Sequence, residues 1–389
     1  MQIHKLRLSI SLYLNYVAHG FGLLILSQNM TALGQAWSAP LKVVSFVISG
    51  VGIGRLLAYL ITGYLADKMS RKFFVYLGMA CYLTFALGIP FSKNIYIAYG
   101  LAILAGIANS ALDAGSYTTF AEMGTNGSRG NILIKAAASL GEFILPLLVA
   151  ALHKRGLWFG YAFMTMAAIL IVNAFLLLPL KFPKANVAAK GKKEQGTAKP
   201  RQWLTTICFP LYGYASMAFM IWFTQWITLF GQKQGFSLTT SHLFLSLYSI
   251  GSIIGVFCLF ALLGRDVSSY AILITMNVIA SLMVLILLLS HNSLLSEFAS
   301  FMFGLTAASG IMQMALNAFM EFYPERKGLA TGVFYFFGAI ASFTVPIITG
   351  ILSDISIKAA FGGDLVIGII ATCLILLIAF SSKKLSAIK

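Results

Sequence analysis

Three charged residues lie inside long apolar stretches in the first half of the sequence: Arg55, Asp113 and Glu142. Counted from the nearest hydrophilic loops at the helical rise per residue, they lie about 18 Å, about 13 Å and about 18 Å deep. A charge that deep in an apolar layer costs several kcal/mol and is normally kept for a function or a partner. Their similar depth predicts that the three side chains can pair if they face one cavity.

Two interpretations of this charged group are open. In the first, Asp113 or Glu142 takes up a coupling proton, while Arg55 binds an anionic solute or alternates as the partner of the carboxylate. In the second, Arg55 and one carboxylate form a permanent buried ion pair that holds the helices together. We favour the first interpretation for the group as a whole.

Neutral polar residues accompany these charges. Asn15 and His19 are four residues apart, so on a helix they share one face, and Asn109 lies one turn before Asp113. We expect Asn15 and Asn109 to contact a solute. For His19 two roles are open, a proton shuttle or a hydrogen-bonded packing residue.

The second half of the sequence carries no charge at mid-depth in its apolar stretches, so we expect it to hydrogen-bond a solute through neutral groups. Its candidates for solute binding are Tyr212, Tyr214, Gln313 and Asn317. Trp222 and Trp226 lie farther along the same stretch as the two tyrosines. An aromatic belt at the outer membrane surface is the expected role of these tryptophans.

The composition excludes a soluble protein. Of 389 residues, 59% are hydrophobic and 10% are charged, whereas soluble domains carry about a quarter charged residues. The net charge of +16 would suggest nucleic-acid binding in a soluble chain, but here it has to be interpreted together with membrane topology. We expect no nucleic-acid partner.

Apolar stretches long enough to cross a bilayer recur along the whole chain. A spanning helix needs about 20 apolar residues. Ten intervals without Asp, Glu, Lys or Arg meet this requirement, and residues 42–66 and 130–152 add two that contain charges. The sequence therefore predicts an all-α membrane protein with twelve transmembrane helices. With no soluble domain or phosphate-binding loop, we expect no enzymatic activity, cofactor or metal.

The distribution of Lys and Arg predicts the orientation of the chain. If the N-terminus is cytoplasmic, most of the 27 basic residues fall in cytoplasmic segments, and both termini lie inside. We therefore expect a multi-pass protein of the cell membrane. Residues 182–202 form the one long polar segment, which we interpret as a cytoplasmic linker between six-helix halves at residues 1–181 and 203–389.

The two halves repeat the same order of signals. Gly52 and Glu122 recur as Gly251 and Glu321 at one constant offset along the chain. An internal repeat of this kind is typical of membrane transporters, whose solute sites lie between the repeats.

A ten-residue segment carries the most specific motif. Residues 63–72 read GYLADKMSRK, and residues 321–328 read EFYPERKG. The first segment resembles the loop signature Gly-x-Leu-Ala-Asp-Arg-x-Gly-Arg-Arg of the major facilitator superfamily, with Ser70 in place of the second glycine. The second resembles the loop between helices ten and eleven of that superfamily.

The resemblance implies two six-helix halves around a central cavity, with the loop at 63–72 acting as a cytoplasmic latch. Asp67 and Arg71 would then gate the transporter, whereas the alternative is that the basic residues only set topology. The candidate gating residues are Gly63, Asp67, Arg71, Glu122, Arg129 and Glu321.

These observations predict a secondary active transporter for a small polar solute, with an anionic solute as one option. We expect coupling to H⁺, alternating access by a rocker-switch motion, and a monomer whose partners are the solute and the lipid bilayer. The alternative is an efflux antiporter for amphipathic compounds, although the Arg and Gly-Pro signatures of drug–proton antiporters are absent from helices four and five. A non-transporting membrane sensor is the third interpretation.

Overall fold

The computed structural model describes residues 2–65, 70–123, 127–183, 203–263, 268–323 and 327–386, and every regular element within them is helical. Twelve helices in these residues are long and apolar enough to cross a membrane, which confirms the predicted number of spans. The chain divides into two compact units, Met1–Ala188 and Ala189–Lys389. The boundary falls within the segment interpreted as the linker.

The first unit contains six spans, and its first span is followed by a short extra helix. In chain order its helices are α1 (Gln2–Gln28), α2 (Met30–Ala36), α3 (Leu41–Leu65), α4 (Arg71–Gly88), α5 (Ile95–Glu122), α6 (Gly127–Lys154) and α7 (Gly160–Leu177). Side chains set two of the starts: Ser70 and Asn94 accept hydrogen bonds from the first backbone N–H groups of α4 and α5.

The second unit also contains six spans. Its helices are α8 (Trp203–Lys233), α9 (Leu238–Leu263), α10 (Ser269–Leu289), α11 (Ser293–Ala307), α12 (Ile311–Met320), α13 (Lys327–Ile355) and α14 (Ile357–Ser386). Helices α11 and α12 together form the tenth span, which is interrupted at Ala308–Gly310. Gly310 has a φ of 110°, a left-handed conformation that glycine adopts at little cost.

Glycines allow the backbones of α3 and α5 to touch in the first unit. A Cβ atom added to Gly54 would overlap the carbonyl oxygen of Ile103, and one added to Gly106 would overlap that of Val51. Small residues at a crossing are a common basis of helix association in membranes, because they allow close van der Waals packing. This contact places the residues after Gly54 on α3 beside those after Gly106 on α5.

The second unit repeats this crossing between α9 and α11. Cβ atoms added to Gly251, Gly255 and Gly304 would overlap backbone atoms of the opposite helix. Gly251 meets the carbonyl oxygen three residues before Gly304, as Gly54 meets the one three residues before Gly106, so it corresponds to Gly54 rather than to Gly52, the partner that the sequence offset predicts. The two units therefore repeat the same helix packing, but the register of the repeat differs at this point by two residues from the one that the sequence offset predicts.

The aromatic residues of α8 lie in the core of the second unit. Trp222 and Trp226 are 4% and 0% exposed, and Trp222 donates a hydrogen bond from Nε1 to the carbonyl oxygen of Ala360 on α14. The predicted aromatic belt at the membrane surface is therefore wrong for these two residues. Packing of the Trp222 ring against Gly363 of α14 explains the inward orientation of that residue.

Candidate functional site

Asp113 on α5 is held by tyrosines from two other helices. The Tyr16 hydroxyl on α1 donates to Asp113 Oδ1 at 2.7 Å, and the Tyr59 hydroxyl on α3 donates to Oδ2 at 3.0 Å. Both carboxylate oxygens thus accept a hydrogen bond from a neutral donor. Three helices of the first unit meet at this one side chain.

Arg55 joins the same group through Tyr59. The two residues are one turn apart on α3, and the Tyr59 side chain interacts with Arg55 while its hydroxyl donates to Asp113. Arg55 also lies close enough to Asp113 for electrostatic attraction between them. The close crossing of α3 and α5 at Gly54 and Gly106 places these side chains together, as their similar depth predicts.

His19 extends the group toward α4. Its Nδ1 atom lies 2.8 Å from the Tyr82 hydroxyl oxygen, and its ring centroid lies 5.3 Å from that of Tyr16. We call the connected set the tyrosine cluster. Its members are Tyr16, His19, Arg55, Tyr59, Tyr82 and Asp113.

The three tyrosines of this cluster were not among the residues singled out in the sequence. A signal for two of them exists, because Tyr59 is four residues after Arg55 and Tyr16 is three residues before His19. These spacings place each tyrosine on the same helix face as a polar residue that was singled out. Tyr82 stands in an apolar stretch without such a neighbour, and only packing identifies it.

Glu142 on α6 is buried at 6% exposure but does not join the tyrosine cluster through a hydrogen bond in the described residues. Its Oε2 atom has no hydrogen-bond partner there. Glu142 follows Gly141, at which α6 packs against the backbone of α1 at Val17. The backbone of Glu142 therefore lies beside Gly20 of α1.

The two asparagines singled out in the first unit differ in their contacts. Asn15 accepts a hydrogen bond from Asn173 Nδ2 on α7 at 2.7 Å, and Asn173 also donates to the carbonyl oxygen of Ser11. This contact joins α1 to α7. Asn109 is 2% exposed, and its Nδ2 atom has no hydrogen-bond partner in the described residues. Their role in solute binding stays a prediction.

Two predicted gating residues form an ion pair at the end of the first unit. Arg71 at the start of α4 directs Nε and Nη2 to Glu122 Oε1 at the end of α5, at 3.3 Å and 3.1 Å. Next to it, the Lys72 ammonium donates to the carbonyl oxygen of Leu178. The start of α4 is thereby joined to the ends of α5 and α7.

The other gating candidates are less completely described. Gly63 lies in the last turns of α3, whereas Asp67 and the side chain of Arg129 lie outside the described residues. Glu321 is exposed and follows α12 directly. Gating by these residues stays a prediction.

Neutral groups pair within the second unit. The Tyr212 hydroxyl accepts a hydrogen bond from Asn277 Nδ2 at 2.8 Å, and the Tyr214 hydroxyl lies 2.9 Å from Thr344 Oγ1. Gln313 and Asn317 are both exposed on α12, one turn apart. Tyr212 is completely buried, so of the four solute-binding candidates it is the one without a free surface.

One buried carboxylate lies inside a candidate span of the second unit, which the sequence analysis did not single out. Asp364 lies seven residues inside α14, about 10 Å from the start of the helix, and it is 0% exposed. Counting apolar intervals between charges treats each charge as the end of a span, so a carboxylate within a span is assigned to a loop.

A metal centre has no support in the described part of the chain. No group of three or more His, Cys, Asp or Glu side chains is arranged there to hold an ion. The four cysteines, Cys81, Cys208, Cys258 and Cys373, are free.

Comparisons with known proteins agree with this architecture. The family model described as Major Facilitator Superfamily matches residues 12–346. The chain is 38% identical to the "Inner membrane transport protein YdiM" of Escherichia coli (strain K12) over 381 residues, which cover 97% of this chain and 94% of the relative.

Solved structures show the same fold at low sequence identity. The nucleoside transporter NupG superposes with a TM-score of 0.72 at 13% identity, covering 96% of this chain and 98% of NupG. A D-xylose-proton symporter gives a TM-score of 0.73 at 11% identity, covering 96% of this chain and 97% of the symporter. The family match and the 38% identical relative show that the chain is a membrane transporter and belongs to the Major Facilitator Superfamily.

Proposed function

We propose that the chain moves a small polar solute across the membrane together with protons, by alternating access between its two halves. Asp113 is the residue that binds the coupling proton. Arg55 attracts the solute or alternates as the partner of the Asp113 carboxylate, which favours an anionic solute.

The observation that carries this proposal is the pair of tyrosine hydroxyls on Asp113. A phenol hydroxyl can donate a hydrogen bond to a carboxylate and can accept one from a protonated carboxyl group. Tyr16 and Tyr59 can therefore bond Asp113 in both protonation states while their rings stay packed. A buried group that keeps its partners in both states is suited to cyclic binding and release of a proton.

Arg55 links proton binding to solute binding in this proposal. Protonation of Asp113 removes the negative charge that attracts Arg55, so the guanidinium becomes available to an anionic group. The guanidinium binds carboxylate or phosphate groups through two parallel hydrogen bonds. Proton and solute would then bind in a coupled manner within one half of the protein.

The second unit contributes hydrogen-bonding groups to the solute in this proposal. Gln313 and Asn317 are exposed and share one face of α12, so their amides can bind a polar molecule without first breaking a core contact. The half-buried Tyr214 adds a hydroxyl. Proton-coupled transport by this fold has a precedent in the D-xylose-proton symporter, which supports the mechanism but says nothing of the solute.

His19 and Glu142 have secondary roles in the proposal. His19 lies near the positive charges of Arg55 and Lys135, which repel a further cation, so we assign it to hydrogen bonding of Tyr82. Glu142 is the second candidate for proton binding, because it is buried and lies beside α1.

The test begins with a thermal-shift screen of the purified protein against sugars, organic acids, amino acids and nucleosides at two pH values. A compound that stabilises the protein is then used, radiolabelled, in proteoliposomes with and without an inward proton gradient. Stabilisation by amphipathic cations alone would favour the efflux alternative.

In these vesicles we expect Asp113→Asn to retain exchange of the solute across the membrane but to lose its gradient-driven accumulation. Asp354→Asn is the matched control, because Asp354 is an exposed carboxylate at the end of α13. Full accumulation by Asp113→Asn would refute the assignment of the proton to Asp113, and its loss in Glu142→Gln instead would transfer the role to Glu142.

A further inference from the structure

Asp364 lies in the first half of the buried stripe of α14. Ala360, Asp364, Gly368, Ala371 and Ile375 recur every three or four residues and are all buried, which is the pattern of a helix face packed against neighbours. The other four members are small or apolar. One carboxylate therefore stands in a surface that otherwise packs as a hydrophobic contact.

The surroundings of Asp364 supply no polar partner. Both of its carboxylate oxygens are buried and have no hydrogen-bond partner in the described residues. On either side along α14, Gly363 packs on the Trp222 ring, and Gly368 packs on the Phe219 ring and on the Ser281 hydroxyl of α10. That hydroxyl donates its hydrogen bond to the carbonyl oxygen of Asn277. One turn toward the start of the helix, Phe361 stacks on Phe230 of α8 with ring centroids 4.4 Å apart.

Titratable groups are present on the helices packed against α14, but none of the described ones hydrogen-bonds to Asp364. They are Cys208, Tyr212, Tyr214 and Lys233 on α8, Tyr270 on α10, Tyr335 and Asp354 on α13, and Lys358 and Cys373 on α14 itself. The carboxyl is thus buried without a hydrogen-bonded partner among the described residues of its own half.

Ionisation of Asp364 in this environment would be costly. An unpaired carboxylate in an apolar interior costs far more free energy than a neutral carboxylic acid, so such groups remain neutral or gain a partner. A hydrogen-bonding side chain at that position still costs stability in either form. If Asp364 served only packing, replacing it with a small apolar residue would increase the stability of the folded protein.

We propose that Asp364 is a second proton-binding site, located in the C-terminal half and separate from Asp113. It is protonated in the arrangement described here and releases the proton when α8 and α14 separate enough to admit water. The proton stabilises the closed packing of these two helices, because only the neutral acid tolerates the contact. This site would operate whether or not Asp113 is the coupling residue.

Infrared spectroscopy of the purified protein tests the protonation state. The carbonyl-stretch band of protonated carboxyl groups is recorded from about pH 5 to about pH 8. We expect Asp364→Asn to lose the intensity of one group at neutral pH, whereas the control Asp354→Asn loses none. An unchanged band in Asp364→Asn would refute protonation of this residue.

Release of the proton is tested by the pH dependence of the same band and of the unfolding temperature. We expect the Asp364 band to decline as the pH rises while the protein remains folded, and the unfolding temperature of wild type to fall relative to Asp364→Asn over the same range. A band that persists until the protein unfolds would mean a permanently neutral side chain and would overturn the proposal.

A variant that keeps Asp364 covers the case in which Asp364→Asn fails to fold. The double variant Asp113→Asn, Glu142→Gln removes both buried acids singled out in the N-terminal half. We expect one protonated-carboxyl band to remain in it at neutral pH and to decline at higher pH. Complete absence of that band would refute the proposal, whatever the result of the transport test on Asp113.

Discussion

The fourth and tenth spans share a helix crossing but differ in the residues beyond it. In the fourth span Asp113 stands seven residues after the crossing glycine Gly106, on an unbroken helix. In the tenth span Ile311 stands seven residues after Gly304, at the start of α12 and directly beyond the helix break. One half places an anchored carboxylate where the other half interrupts the backbone.

This difference shows which part of the repeat is constrained. The glycine crossings recur because two helix backbones can approach closely only without side chains between them. The polar residues are not constrained in this way. The first half holds the tyrosine cluster, whereas the described part of the second half holds hydrogen-bonded pairs of neutral side chains and the buried Asp364. Packing defines the repeat, and the polar residues distinguish its two copies.

The crossing glycines should give the largest effect if the halves share this packing. We expect Gly106→Leu in the first unit and Gly304→Leu in the second each to cost roughly 3 kcal/mol or more, because a side chain would separate the helix backbones. The yield of monodisperse protein and its unfolding temperature measure the loss. Gly100→Ala is the control, since nothing lies within 4 Å of its added Cβ. Equal yield and equal unfolding temperature of all three variants would refute the idea that both units depend on these glycine crossings.

Removing a tyrosine hydroxyl should cost more stability in the first unit than in the second. Tyr16→Phe and Tyr59→Phe each remove a hydrogen bond from a buried carboxylate, which we expect to cost about 1.5–3 kcal/mol. Tyr212→Phe removes a neutral hydrogen bond, and Asn277 keeps its bond to Leu273. We expect that loss to be about 1 kcal/mol.

Thermal unfolding of these variants in detergent at neutral pH gives the ranking. Both variants of the first unit should unfold at lower temperature than Tyr212→Phe. The reverse order would show that the tyrosine cluster carries no more stabilisation than the neutral pair, and the proposed contrast between the halves would fail.

The ion pair of Arg71 and Glu122 should contribute a smaller effect. Their side chains are 11% and 15% exposed and so keep some contact with solvent, and the Gln amide oxygen can still accept a hydrogen bond from Arg71, so we expect Glu122→Gln to cost about 1 kcal/mol. A role in gating adds a separate expectation, a changed rate of solute exchange in proteoliposomes. Arg71→Lys keeps the charge but not the two-nitrogen contact, and it distinguishes geometry from charge. An unchanged exchange rate in both variants would refute a role of the pair in gating. The remaining interpretation would be that Arg71 only sets membrane topology.

The exposed amides of α12 should give the smallest change in stability. We expect Gln313→Ala and Asn317→Ala to lie within about 0.5 kcal/mol of wild type, because neither side chain is buried. A stabilising compound from the screen should nevertheless lose affinity for both variants, measured by its thermal shift. Normal affinity would remove α12 from the proposed solute site.

Arg55 and Asp113 illustrate how far the sequence predicts the site. Their depth follows from counting residues along each helix, and in the structure Arg55 lies close enough to Asp113 for electrostatic attraction. Their connection through Tyr59 could not be predicted, since it depends on the rotation of α3 about its own axis. The tyrosines have apolar rings and occur throughout apolar spans, so nothing in their own positions marks them as partners of a charge.

Asp364 and the α8 tryptophans illustrate where sequence reasoning failed. A charge near the end of an apolar stretch and an aromatic residue toward the membrane surface both have a plain explanation in a lipid-facing helix. The contact between α8 and α14 overrides both explanations, because it buries the face on which these residues lie. Interhelical packing, and not hydropathy, decides which side of a membrane helix faces protein.

The number of spans, the two-half organisation of the fold and the superfamily were determined by the sequence itself. Each spanning stretch is a local property of about 20 residues, and the bilayer requires its backbone to form a helix. The tertiary structure alone decided the partners: the tyrosines that hold Asp113, the asparagine that holds Asn15, and the burial of Asp364. These contacts depend on helix rotation and register, which are set by the fit between helices rather than by any one of them.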